Sequence, residues 1–116
     1  MVNIEEIIIA YLSNVFDIET YADVPKEYPV RFVTVERTGG IRDSLVIDRP
    51  MVAVQCWAET RRDAADFAYK VDDALRSLPA HNKRVTFARR NSLYNFPDPE
   101  SKKPRYQLVY EFVAVN

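Results

Sequence analysis

Glu36-Arg37-Thr38-Gly39-Gly40, followed by Asp48-Arg49-Pro50 and then Val52-Ala53-Val54-Gln55-Cys56-Trp57-Ala58, is the stretch whose reading decides the fold. It joins two β-type runs through the only two glycines of the chain, and its second run leads straight into a capped helix. Upstream, Arg31 to Arg37 alternates, with Val33 and Val35 on one face and Phe32, Thr34 and Glu36 on the other, as in a strand with one side on a core. Glycine reaches φ > 0 without a steric penalty, so Gly39-Gly40 lets the chain reverse or bulge. Pairing then resumes near Leu45 to Ile47, and Pro50 stands at the mouth of the next strand. There Val52, Val54, Cys56 and Ala58 alternate with Ala53, Gln55 and Trp57. Small and branched side chains line one face and Trp57 anchors the other, so both faces are expected to be at least partly covered.

Working outward, Thr60 and Asp63 have the spacing of a helix-capping box, with aspartate in the reciprocal position. Ala64, Phe67, Ala68, Val71, Leu75 and Leu78 follow as an apolar stripe, and Pro79 ends it. A second amphipathic helix opens the chain, where Ile4, Ile7, Ile8, Tyr11, Leu12 and Val15 recur at helical spacing behind the cap Asn3. Residues 18–22 read as a short strand, and Pro25 and Pro29 hold the following segment extended. After a turn over 79–83, Val85 and Phe87 begin another strand, followed by an irregular stretch over 91–104. Residues 106–115 alternate Tyr106, Leu108, Tyr110, Phe112 and Ala114 against Gln107, Val109, Glu111, Val113 and Val115. The element order is α-β-β-β-α-β-β. The predicted fold is α+β, a single domain with a mainly antiparallel sheet flanked by two helices.

A chain of 116 residues, 47% hydrophobic and 28% charged, suits one globular core. No apolar run approaches the ~20 residues that span a bilayer, so no membrane is expected as a partner. Ile4 to Leu12 lacks the basic start of a secretory signal and reads as part of a cytosolic product. Net charge is only -1, but its distribution is uneven. Residues 1–28 carry Glu5, Glu6, Asp17, Glu19, Asp23 and Glu27 against Lys26. Residues 83–105 carry Lys83, Arg84, Arg89, Arg90, Lys102, Lys103 and Arg105 against Asp98 and Glu100. Such complementary charge suits oriented association, the basic arm of one copy facing the acidic element of another.

Catalytic chemistry finds little footing. The glycine pair lacks the spacing of a dinucleotide fingerprint or a P-loop. The single cysteine, Cys56, reads as a small buried hydrophobe, and the single histidine, His81, as a turn residue. No paired carboxylate motif stands out, and no cofactor is expected. The basic arm with Phe87, Tyr94, Phe96 and Tyr106 could form a stacking surface for nucleic acid, but these aromatics coincide with core alternation and the overall isoelectric point is acidic, about 5.8.

Glu36 to Gly40, Asp48-Arg49-Pro50 with Val52 to Ala58, the Ala-rich helix, and Pro97-Asp98-Pro99 before Pro104-Arg105-Tyr106-Gln107 together resemble the tail terminator, or tail completion, proteins of long-tailed bacteriophages and prophages. The resemblance covers residues 18–115. It implies a structural virion protein without catalytic activity, a sheet flanked by helices that assembles into a ring, commonly a hexamer. Such a ring caps the tail tube, meets the head connector and encloses the path of the DNA. The implied partners are further copies of itself, the tail tube protein and the head–tail connector, and the implied location is the virion tail or neck, after synthesis in the host cytoplasm. A connector protein of the same neck and a nucleic-acid-binding module are the alternatives. Expected contacts between subunits or with the tube lie in the turn, at Gly39, Gly40, Arg42 and Asp43, and in the basic arm, at Arg89, Arg90, Lys102, Lys103 and Arg105.

Overall fold

Asn3 accepts backbone N–H bonds from Glu5 and Glu6, and this cap opens helix α1, Ile4–Val15. The computed structural model describes residues 2–116. Strand β1 is only Thr20–Tyr21, shorter than the 18–22 expected, while β2 spans Phe32–Arg42 and β3 spans Ile47–Trp57. Helix α2, Arg61–Arg76, starts where Thr60 Oγ1 accepts from the Asp63 N–H at 3.1 Å. A short helix α3, Leu78–His81, follows, and β4, Val85–Asn95, and β5, Arg105–Val115, end the chain.

The fold is α+β, one domain with a five-stranded sheet ordered β1-β2-β3-β5-β4. All neighbours run antiparallel except β1 and β2. Both long helices lie on one face. Ile4, Ile8 and Leu12 of α1 and Phe67, Val71 and Leu75 of α2 join Val33, Val35, Val52, Val54, Cys56, Leu108, Tyr110 and Phe112 of the sheet in one buried cluster. Burying each large aliphatic side chain there contributes roughly 1.5–3 kcal/mol before the entropy of ordering it is set against the gain. Tyr11 fastens α1 to α2 by donating its hydroxyl to the Ala74 carbonyl at 2.7 Å.

Of the two roles open to Gly39-Gly40 the bulge is the one observed, and three other expectations are corrected. Gly39-Gly40 does not reverse the chain: β2 continues through both to Arg42, with a bulge between Arg37 and Gly39, and the reversal falls at residues 43–46. A Cβ on Gly40, whose φ is 103°, would stand 2.2 Å from the Arg49 carbonyl oxygen, so this glycine permits the close approach of β2 to β3. Pro50 lies inside β3 as its fourth residue, where the partners toward β5 skip from Asp48 to Met51. Helix α2 ends at Arg76, before Pro79, which occupies the first turn of α3, where a missing N–H costs nothing. The irregular stretch is also shorter than expected, because β4 runs to Asn95, absorbing register shifts between Val85 and Phe87 and between Arg90 and Ser92.

Candidate functional site

The helix-free face of the sheet carries a row of polar side chains that crosses four strands. Trp57 Nε1 donates to Thr34 Oγ1 at 3.0 Å, and the Thr34 hydroxyl donates to Gln55 Oε1 at 2.8 Å. Gln55 Nε2 donates to Gln107 Oε1 at 2.9 Å, and Gln107 Nε2 reaches the Tyr94 hydroxyl. Alternation in β2, β3, β5 and β4 directs all five groups to the same side. Over one end of the row lies an aromatic and cationic roof. Trp57 stacks on Phe32 with centroids 5.2 Å apart, Tyr28 packs edge-on against both, and Arg105 lies between the Trp57 and Phe96 rings at 4.8 and 4.6 Å. The Arg105 Nε donates to the Phe96 carbonyl at 2.8 Å. Its position is a structural clamp closing the loop between β4 and β5.

The opposite end of that face is bare. Gly40, Ile41, Arg49, Met51, Phe87, Glu111 and Val113 line an open groove of about 240 Å³. Ile41 is 70% exposed and Phe87 47%, and at the adjoining hairpin tip Leu45 is 81% exposed.

Asp72, 5% exposed, forms the most concentrated group of polar contacts under the helices. It accepts from Arg76 at 3.2 Å, Arg90 at 3.1 Å and the Tyr110 hydroxyl. Burial first, then the hydrogen bond to Asp72, pushes the Tyr110 phenol above its ordinary range. With both carboxylate oxygens engaged by the chain itself, the cluster ties α2 to β4 and β5. Cys56 is fully buried and desolvation raises its thiol, the opposite of what a nucleophile needs. His81 is exposed, its Nδ1 3.0 Å from the Ser77 carbonyl and its ring against Tyr11, so Cys56 and His81 form no common site.

The residues expected at interfaces are divided by the structure. Gly39, Gly40 and Arg42 lie together on the distal half of β2, and Asp43 begins the hairpin turn, paired with Arg49. Lys102 and Lys103 are exposed in the β4–β5 loop, where Lys103 lies over the Tyr28 ring. Arg105 is 8% exposed, which removes it from the interface set. Arg90 is held by Asp72, and Arg89 bonds Glu111 at 2.5 Å on the neighbouring strand. Lys83 and Arg84 carry side chains with no ion pair among the described residues. They stand with Lys102 and Lys103 as cations of the basic arm that no ion pair holds among the described residues, a distinction that charge counting along the chain misses.

The sheet order also converts charge along the chain into charge across the molecule. Glu5 and the acids flanking β1 stand on the β1–β2 side, whereas Lys83 and Arg84 lead into β4 on the opposite side; Glu6 lines one cleft with Arg84 and belongs to neither edge alone. Glu5 takes part directly in the first edge, its carboxylate accepting the Arg37 backbone N–H at 2.8 Å. In comparisons with known proteins, no family model matches this chain and no curated protein matches it.

Proposed function

We propose that this chain is a structural subunit of a phage or prophage virion, a tail terminator or completion protein that closes the tail tube with a ring, commonly of six copies, and joins it to the head connector. The observation that carries this reading is the opposite charge of the two sheet edges. A ring requires a heterologous contact in which two different surfaces of one subunit meet, and edges of opposite sign meet head to tail while repelling like edges. The internally satisfied Asp72 cluster and the buried thiol agree with a scaffold role, since neither leaves a group free to act on a substrate.

Solution mass measured across concentration, joined to electron microscopy, tests the proposal. Rings of one defined size that cap isolated tail tubes are the expected result. A chain that stays monomeric and never joins a tube overturns it.

A further inference from the structure

Within one subunit, Gly39 closes the bulge that opens at Arg37, and its carbonyl accepts from Arg37 Nε at 3.0 Å, but neither contact excludes a side chain. A Cβ there would meet no atom within 4 Å, and unlike Gly40 it does not occupy the left-handed region. It stands in a strand, where glycine forfeits packing and costs entropy relative to almost any other residue. Glycine inside a strand marks a bulge, as here after Arg37, or a place where another backbone approaches closely.

Both outer strands leave backbone available for such an approach. On one side β1 covers β2 only at Val33 and Thr34, and Glu5 caps Arg37, so Thr38 to Arg42, paired to β3 along their inner edge, continue beyond β1 along their outer edge and are all exposed. On the other side β4 is an edge strand of eleven residues paired to β5 alone. Uncovered strand edges of this length invite pairing with another chain, and natural sheets usually blunt them. Acids stand just before the open segment of β2, Glu36 in the strand and Glu5 of α1 bonded to the Arg37 N–H, while the segment itself carries Arg42; Lys83 and Arg84 stand at the start of β4.

Resting on the ring reading above, we infer that neighbouring subunits join by strand addition, the free edge of β4 in one copy pairing with Thr38 to Arg42 of β2 in the next, with Gly39 leaving room for the incoming chain. The contact is heterologous, so each subunit uses one edge of each kind and the sheet continues from copy to copy.

The decisive experiment compares the full-length chain with Gly39→Val and with the double variant Lys83→Glu/Arg84→Glu, by sedimentation across concentration and by thermal melting. Valine at 39 enters open space in a strand, and Lys83 and Arg84 have no ion-pair partner to lose among the described residues, so both variants are expected to melt like the parent. Their self-association is expected to weaken by about a hundredfold, from steric exclusion in the first and like-charge repulsion in the second. If the parent assembles and the folded variants assemble equally well, strand addition is wrong and the ring reading stands. A parent that stays monomeric overturns both. Should Gly39→Val fail to fold, the double variant alone decides, because its substitutions leave the Arg89–Glu111 and Arg90–Asp72 pairs intact.

Discussion

The two ends of β3 lie on the same sheet face and have been finished differently. At the Trp57 end, stacked rings, the Arg105 clamp and the Thr34–Gln55–Gln107–Tyr94 row leave the polar groups partnered and Trp57 only 2% exposed. At the Pro50 end, Gly40, Ile41, Met51 and Phe87 surround an open groove with nothing laid across it. The contrast separates what the subunit does for itself from what it leaves for another surface. The roofed end contributes stability, and the bare end presents apolar area of the kind that marks interaction sites.

The largest effect is expected from removing the roof. Trp57→Ala deletes a fully packed indole and leaves Thr34 Oγ1 without its donor, a loss of about 3–5 kcal/mol measurable by denaturant unfolding. A loss below about 1 kcal/mol would mean that the roof is ornamental and the comparison false.

Next comes the ion pair that holds the bare end. Arg37 grips Asp48 through two bonds of 2.6 and 2.9 Å, and Asp48 is 1% exposed. Arg37→Met strands a buried carboxylate and is expected to cost about 2–3 kcal/mol, below the range for a fully buried pair because the arginine side chain is 28% exposed. The Arg37 hydrogen bond, aided by charge attraction, lowers the Asp48 carboxyl below its ordinary 3.8. A depressed folded-state pKa gives stability that is fully present above 3.8 and lost as pH falls through the lowered value. Unfolding free energy followed from pH 6 downward should therefore show an acid-dependent loss in the parent that is reduced in Arg37→Met, where Asp48 is no longer held ionised.

How much of this was legible in the sequence depends on the range of the interaction. Period-two alternation identified the Val33/Val35 and Leu108/Tyr110/Phe112 core faces, and caps identified both long helices, because these signals are local. Gly39-Gly40 allowed either a reversal or a bulge, and only the pairing of β2 with β3 distinguishes them. The extent of β4 was hidden for a similar reason: Asn91 to Asn95 have weak strand character and are held by their register with β5. Arg89, Arg90 and Arg105 looked like free charges in the chain, yet their partners Glu111, Asp72 and Trp57 stand 22, 18 and 48 positions away. Charge patterning located the basic arm but could not tell which of its members were already engaged.

The smallest expected effect is the sharpest test of the comparison. Ile41→Ser removes an apolar side chain that the subunit itself leaves largely in water and should change unfolding free energy by no more than about 0.5 kcal/mol, while Phe87→Ser, at a half-covered ring, should cost about 1 kcal/mol. Phe32→Ser, on the same face but under the roof at 1% exposure, should cost several times more, about 3 kcal/mol or above. If the exposed pair proves as costly as Phe32, the bare end is part of the subunit's own core and the division fails. If they cost no more than these amounts while self-association weakens, the apolar area at the Pro50 end is reserved for contact between molecules, beside the strand edges proposed to pair.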